Sequence, residues 1–198
     1  VDYVVRNAGE VALPALLGAI EGRYPIEQVG NISYKDPDGD VITNTQMYSE
    51  LALSQIPFPE VDLFSESVGG SLRYIRQVHS LGCRSKCAFC SIRTIGRDPQ
   101  ASPVERNIAE IDAYRGRYGE HHTIYWGDET FDPKKSASLL QALEQRGDVI
   151  FDIQTRIGLS ADPEALEKLY KGGCRWVEVG LETENPEDRR KQKGAMQD

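Results

Sequence analysis

The sequence lacks any run of about eighteen apolar residues, which is the length that a helix needs to cross a lipid bilayer. Its N-terminus also lacks a basic segment followed by an apolar core, the pattern of a secretory signal peptide. We therefore expect a cytoplasmic protein with no membrane partner. An excess of basic charge is absent as well, because 31 acidic residues against 23 basic ones give a formal net charge of -8. Nucleic acid is thus not expected as a partner, and a small-molecule or peptide substrate fits the charge better.

Cysteine is scarce, and its distribution argues against a disulfide-stabilised secreted domain. The chain has four cysteines in 198 residues, and three of them fall between positions 83 and 90. In a reducing compartment such clustering indicates metal ligation rather than disulfide bonding. The remaining composition, with 39% hydrophobic and 27% charged residues, is that of a globular protein that can bury a core.

Both ends of the sequence suggest a piece of a longer protein. Val1–Val5 is a strand-like run with no turn before it, and Glu187–Asp198 is charged and shows no apolar periodicity. Between Gly9 and Gly22 the pattern predicts a helix. The apolar face of that helix is predicted to hold Leu13, Leu16, Leu17 and Ile20.

The first fifty residues are predicted to form an α/β unit that is separate from the rest of the chain. The turn-forming residues of Asp36–Asp40 predict a small hairpin between the apolar segments that flank them. Ile56–Pro59 has the proline spacing of an extended connector. We therefore expect a domain over residues 1–50, a linker over 51–70 and a second domain over 71–198.

From residue 72 onward, apolar strands alternate with amphipathic helices. This alternation is typical of βα units around a parallel sheet, and it predicts an α/β fold with about four such units visible. The predicted strands are Arg73–Ser80, Thr123–Trp126, Val149–Thr155 and Trp176–Leu181. The predicted helices are Pro103–Tyr118, Lys134–Arg146 and Pro163–Lys171.

In a parallel βα array the reactive groups lie beyond the carboxyl ends of the strands. Polar residues follow each predicted strand at this end. They are Cys83 after the first strand, Gly127, Asp128 and Glu129 after the second, Arg156 after the third and Glu182 after the fourth.

Cys83, Cys87 and Cys90 are spaced C-x3-C-x2-C, which lets one loop place three thiolates around a compact iron–sulfur cluster. Three ligands to a four-iron cluster leave one iron open for another molecule. A zinc site is the alternative, but His79, His121 and His122 lack the spacing to the triplet that zinc sites favour. Cys174 is predicted at the opposite end of a strand, as a buried structural thiol.

At these residues the sequence resembles the radical SAM superfamily, whose signature C-x3-C-x-aromatic-C is matched with Phe89 in the aromatic position. The resemblance implies that the α/β fold is a partial (β/α) barrel and that the three cysteines hold a [4Fe–4S] cluster. It also implies that the open iron binds S-adenosylmethionine (SAM), which is cleaved reductively to a 5′-deoxyadenosyl radical. An electron donor such as flavodoxin or ferredoxin is implied as a partner. The protein would orient this chemistry and shield it.

The same resemblance assigns the other strand-end residues to SAM. Gly127-Asp128-Glu129 is similar to the glycine-and-acid motif that meets the SAM amine, and either acid is a sensible partner for an ammonium group. Arg156 is similar to the arginine that faces the SAM carboxylate or ribose. Glu182, two residues after Gly180, is expected over the cluster and on the same strand face as Glu178. An ordinary polar turn and a surface arginine are the alternatives.

The first third of the chain is similar to the end of the cobalamin-binding domain and the linker in B12-dependent radical SAM enzymes. This resemblance implies cobalamin-dependent methyl transfer or rearrangement, with the cobalamin site itself outside this chain. Where those enzymes have Gly-Glu-Gly-Glu, this chain has Asn7-Ala8-Gly9-Glu10. The alternatives are a methylthiotransferase-like radical SAM enzyme without cobalamin and a non-catalytic Fe–S or zinc protein. With four βα units visible, this chain alone is expected to lack part of its pocket and to be inactive.

Overall fold

The computed structural model describes residues 1–60, 74–83, 85–92, 99–119 and 123–193. Several predicted features lie outside these ranges: residues 61–70 of the linker, Arg73 of the first predicted strand, and the pair His121 and His122. Within them, the first sheet contains strands β1 (Tyr3–Val5), β2 (Ile32–Lys35) and β3 (Val41–Thr43) in antiparallel order β1-β2-β3. Helix α1 (Gly9–Ile20) follows β1.

The predicted hairpin is confirmed by the pairing of β2 with β3, in which Tyr34 lies opposite Ile42. One carboxylate oxygen of Asp36 accepts hydrogen bonds from the backbone amides of Asp38 and Asp40, which closes the turn. Asn7, at the position where the related motif has glycine, has a φ of 61°. Asparagine is one of the few residues other than glycine that adopt this left-handed backbone readily.

The predicted apolar face of α1 is only partly correct. Leu16 is buried at 4% exposure, whereas Leu13, Leu17 and Ile20 are about half exposed. The helix packs with Leu16 and its small residues against the cluster of Val29, Ile32 and Tyr34. Helical periodicity identifies an apolar side of the helix, but the width of its contact depends on the partner surface.

The second sheet is parallel and open, as the alternating pattern predicts. Its order is β4-β7-β8-β9, formed by β4 (Tyr74–Gln77), β7 (Thr123–Trp126), β8 (Phe151–Thr155) and β9 (Cys174–Val179). Two short strands, β5 (Ser80–Leu81) and β6 (Gln100–Ala101), form a separate antiparallel pair. The helices between and after the strands are α2 (Val104–Tyr118), α3 (Ala137–Arg146), α4 (Ile157–Ser160), α5 (Pro163–Lys171) and α6 (Pro186–Lys193).

The main core lies between this sheet and its helices. On strands β4, β7 and β8, every second side chain faces this core, because successive side chains of a strand point to opposite faces of the sheet. The fully buried side chains include Ile75, Ile124, Trp126, Phe151 and Ile153 from the strands, and Ile111, Leu139, Leu143 and Leu169 from the helices. Burial of each such large apolar side chain contributes roughly 1.5–3 kcal/mol to folding.

The connector between the two sheets is attached to α2 along its described part. Arg106 donates a hydrogen bond to the carbonyl of Ile56, and its guanidinium lies 4.7 Å from the ring centre of Phe58. The amide of Leu53 donates to the Oε1 of Gln100. The extended segment therefore follows the helical side of the second sheet.

Two elements differ from the sequence-based expectation near the C-terminus. Strand β9 begins two residues earlier than predicted and ends at Val179, so Glu182 lies beyond the strand and does not alternate with Glu178. Glu182 instead has a left-handed backbone, with a φ of 56°. Helix α6 forms in the charged segment that carries no apolar periodicity. Its first turn is capped by Asn185, whose Oδ1 accepts hydrogen bonds from the amides of Glu187 and Asp188.

Candidate functional site

The cysteine loop, residues 83–90, begins directly after β5, beyond the carboxyl end of β4. Cys83, Cys87 and Cys90 are free and partly exposed. The amide of Cys90 donates to the carbonyl of Cys87, 3.2 Å away, so the second half of the loop forms a tight turn. Phe89, in the aromatic position of the motif, is 59% exposed. This placement brings all three thiols to the edge of the sheet where parallel βα folds bind ligands.

Residues after β7 contact the start of the cysteine loop. The carboxylate of Glu129 accepts a hydrogen bond from the amide of Gly82 at 3.0 Å, and the hydroxyl of Thr130 lies 3.3 Å from the sulfur of Cys83. Gly127 directly follows β7, at a position where a Cβ atom would overlap the guanidinium side chain of Arg76. The glycine therefore leaves room for Arg76, which donates to the Gly127 carbonyl at 3.3 Å.

Asp128 differs from its neighbour because it is buried, with 2% of its surface exposed. Its Oδ1 accepts from the amide of His79, and its Oδ2 accepts from both the amide and the hydroxyl of Ser80, all within 2.6–2.9 Å. Burial raises the pKa of Asp128 to about 6, and these hydrogen bonds oppose the rise. Both carboxylate oxygens are thus engaged by the segment that leads into the loop.

Arg156 and helix α6 each contact the middle of the cysteine loop. Arg156 follows β8 and donates a 2.8 Å hydrogen bond to the hydroxyl of Ser85. The carbonyl of Gln192 accepts a 2.6 Å hydrogen bond from the amide of Ala88. The adjacent Lys193 is buried, pairs with Glu182 at 2.8 Å and donates to the Gly180 carbonyl. The structure therefore holds Glu182 in an ion pair beside the loop.

The sequence reading missed Gln192 and Lys193, although a signal for their helix is present. Asn185 followed by Pro186 and two acidic residues is a helix-start pattern. Ser80, Ser85 and Thr130 were missed as well, because single hydroxyl residues in loops carry no sequence signal of their own.

The surroundings of Cys83 and Cys87 shift the pKa values of these two thiols in opposite directions. Burial alone would raise the pKa of Cys83, but hydrogen bonds from Thr130 and Ser85 together with the Arg156 charge bring it below its ordinary value. For Cys87, burial raises the pKa, and the other two cysteines of the loop raise it further against the Arg156 charge.

Cys174 is separated from this group of thiols by the length of a strand. It lies at the start of β9, is buried and donates weakly to the carbonyl of Trp176, 3.4 Å away. Burial raises its pKa to about 11. These features agree with the predicted structural thiol.

A cavity of about 390 Å³ lies beside Cys83. Its wall combines the cysteine loop with residues that follow β7 and β8, including Thr130, Asp132, Lys135, Arg156 and Leu159. Among the described residues, no three histidine, cysteine or acidic side chains are arranged around a single metal position. Three cysteines in one loop, with the charge of Arg156 favouring the thiolate form of Cys83, are nevertheless a donor set of the kind that holds iron–sulfur clusters.

Comparison with protein families matches residues 78–196 to the radical SAM superfamily. The matched region contains the cysteine loop and the whole of the parallel sheet after β4. This chain belongs to the radical SAM superfamily. The radical SAM family implies a [4Fe–4S] cluster and SAM as cofactors, and it supports an enzymatic role. The cysteine signature and its position therefore agree with the family.

Two curated methyltransferases are similar in sequence. An uncharacterized methyltransferase, PH0819, of Pyrococcus horikoshii is 25% identical over 191 residues, which cover 94% of this chain and 41% of that protein. The bacteriochlorophyllide d C-12(1)-methyltransferase of Chlorobaculum tepidum is 26% identical over 110 residues, which cover 54% of this chain and 24% of that protein. The radical SAM chain thus spans less than half the length of these relatives.

Two solved structures share the fold. OxsB, a cobalamin-dependent radical SAM enzyme solved with aqua-cobalamin and SAM bound, matches with a TM-score of 0.74 at 20% identity, over 96% of this chain and 29% of OxsB. The radical SAM methyltransferase TsrM of Kitasatospora setae matches with a TM-score of 0.68 at 14% identity, over 98% of this chain and 40% of TsrM. Both matches extend across the N-terminal sheet as well as the radical SAM region.

In the part of the chain that is described, no helix is both long and apolar enough to span a bilayer.

Proposed function

We propose that this chain is part of a cobalamin-dependent radical SAM methyltransferase. The observation that carries the proposal is the position of the cysteine loop, which lies at the carboxyl edge of a parallel sheet and contacts residues that follow both β7 and β8. Cys83, Cys87 and Cys90 would hold the cluster. When bound and reduced, a cluster at these cysteines would supply the one electron needed to cleave SAM between its sulfur and its 5′ carbon, giving methionine and a 5′-deoxyadenosyl radical.

The residues around the loop suggest how this chain would bind SAM. The charge of Arg156 acts on both Cys83 and Cys87, and this guanidinium would stabilise the SAM carboxylate, although it also donates to Ser85. Glu129 is less buried than Asp128 and would be the acid available to the SAM ammonium. Phe89, Gly127 and Glu182 are proposed to complete the contacts with the cofactor.

Cobalamin dependence is proposed because OxsB and TsrM match 96% and 98% of this chain, which includes its N-terminal part as well as the radical SAM region. Residues 1–50 would be the end of the cobalamin-binding domain, joined to the radical SAM domain through residues 51–70. The substrate would be a small molecule or peptide that accepts a methyl group. A flavodoxin or ferredoxin is proposed as the electron donor.

The test is anaerobic reconstitution of the intact protein with iron and sulfide, followed by incubation with SAM and dithionite. We expect about four irons per chain, a cluster signal in electron paramagnetic resonance, and formation of 5′-deoxyadenosine measured by mass spectrometry. Cys83→Ala is expected to abolish both the cluster and the product, whereas Cys174→Ala is the matched control and should keep them. A wild-type protein that binds the cluster but never cleaves SAM would refute the proposal.

Cobalamin is tested separately. The intact protein, loaded with hydroxocobalamin, is expected to retain it through gel filtration with a one-to-one absorbance signal. A protein that cleaves SAM but retains no cobalamin would instead support a methylthiotransferase-like enzyme without cobalamin.

A further inference from the structure

The carboxylate of Asp128 is placed where the chain leaves the parallel sheet. The last bond of the ladder between β4 and β7 is donated by the amide of Gly127 to the carbonyl of Gln77. Beyond this point the amides of His79 and Ser80 have no strand carbonyl opposite them in β7, and both donate to Asp128 instead. The side chain thus replaces the missing sheet partner for two backbone donors, one in the buried His79 and one in the partly buried Ser80.

The opposite side of the same segment is attached to a different element. The carbonyl of His79 accepts from the amide of Ser102, and Ser80 and Leu81 pair with β6. The imidazole of His79 is buried, and its Nδ1 lies 2.9 Å from the side-chain nitrogen of Asn107 in α2. Residues 79–81 are therefore fixed between β7, β6 and α2, two residues before the first cysteine.

We infer that Asp128 is a positioning residue that sets the direction in which the cysteine loop leaves the sheet, and that it does not bind SAM. Its two oxygens already accept three hydrogen bonds, which leaves little acceptor capacity for an ammonium group. Glu129, the next residue, adds a bond to the amide of Gly82. The adjacent acids thus accept hydrogen bonds from the backbone amides of His79, Ser80 and Gly82, in the segment that enters the loop. The inference rests on the proposed function only for its cluster and SAM measurements.

The first test is hydrogen–deuterium exchange of the intact, iron-free protein, read at the amides of His79 and Ser80. In Asp128→Asn one oxygen is replaced by a donor, and in Asp128→Ala both acceptors are lost. Because a charged acceptor contributes more than a neutral one, we expect about tenfold or faster exchange at these amides. Asp148→Asn is the matched control, since this acid pairs with Arg146 at the other end of the sheet. Ser80→Ala, which removes one of the three bonds, should give a smaller acceleration.

The second test separates positioning from SAM binding. After reconstitution, Asp128→Asn is expected to hold fewer irons per chain, while the clusters that form keep the wild-type SAM affinity in titrations followed by electron paramagnetic resonance. Normal iron content with at least a tenfold weaker SAM affinity would overturn the inference, and so would exchange rates equal to those of Asp148→Asn in both variants. If the wild type takes up no cluster, the proposed function fails, and hydrogen exchange still decides the role of Asp128.

Discussion

The buried pair of His79 and Asp128 predicts two opposing pH dependences of folding stability. Burial lowers the pKa of His79 from its ordinary value of 6.5 to about 4. Between pH 6.5 and pH 4 the unfolded chain therefore binds a proton at His79 that the folded chain does not bind. The free energy of unfolding is fully present above pH 6.5 and decreases as the pH falls toward 4. This loss amounts to about 3 kcal/mol.

Asp128 acts in the opposite direction. Burial raises its pKa from the ordinary 3.8 to about 6, with its hydrogen bonds opposing the rise and the nearby Glu129 adding to it. Between these values the folded state binds more protons than the unfolded one. Stability from this group is therefore full below pH 3.8 and is lost as the pH rises through 6, again by about 3 kcal/mol. In the wild type the two contributions largely cancel between pH 4 and 6.

Single substitutions separate the two contributions. Relative to its own value at pH 7, Asp128→Asn should lose about 3 kcal/mol more than the wild type on acidification to pH 4. Over the same change in pH, the free energy of unfolding of His79→Gln should instead rise relative to that of the wild type by a similar amount. The assay is urea unfolding of the intact, iron-free protein at half-unit pH steps, followed by the fluorescence of buried Trp126, whose ring lies edge-on to His79. Curves for Asp128→Asn and wild type that stay parallel within about 1 kcal/mol across this range would refute the reasoning.

Three further predictions concern packing. Phe151→Ala removes a fully buried ring from the centre of the parallel sheet and should reduce the free energy of unfolding by about 3–5 kcal/mol in urea titrations. Gly173→Ala should be destabilising in the same assay, because φ is 105° and the added Cβ would overlap the carbonyl of Val149; an unchanged midpoint would contradict this. Leu16→Ala should cost about 2–5 kcal/mol, whereas the adjacent Leu17→Ala, at 51% exposure, should cost under about 1 kcal/mol.

The order of strands and helices could be predicted wherever local and tertiary preferences agree. Helix α5 begins at Pro163 as expected, because Asp162 accepts a hydrogen bond from the amide of Glu164 and proline fits the first turn. The four parallel strands were identified for a similar reason, since continuous apolar segments between helical repeats match strands covered by helices.

Other features depend on contacts that sequence periodicity does not contain. Asp128 and Glu129 are adjacent acids of the same charge, yet one is buried and the other is not, because successive side chains leave a strand end in opposite directions. The contact of Gln192 with Ala88 joins residues about a hundred positions apart. Helix α6, which contains Gln192, shows no apolar periodicity, so the capping pattern at Asn185 was the sequence signal available for it.

The cysteine loop is held by residues that follow three of the four parallel strands. Glu129 holds Gly82 from β7, Arg156 holds Ser85 from β8, and Gln192 holds Ala88 from the helix after β9. Each partner is distant in sequence from the cysteines, so the loop has this conformation only when the three βα units are assembled. A metal cluster that binds the assembled loop and not the unfolded chain would stabilise all three units together. The arrangement of the loop is therefore a property of the folded sheet, although its three cysteines lie within eight residues of one another.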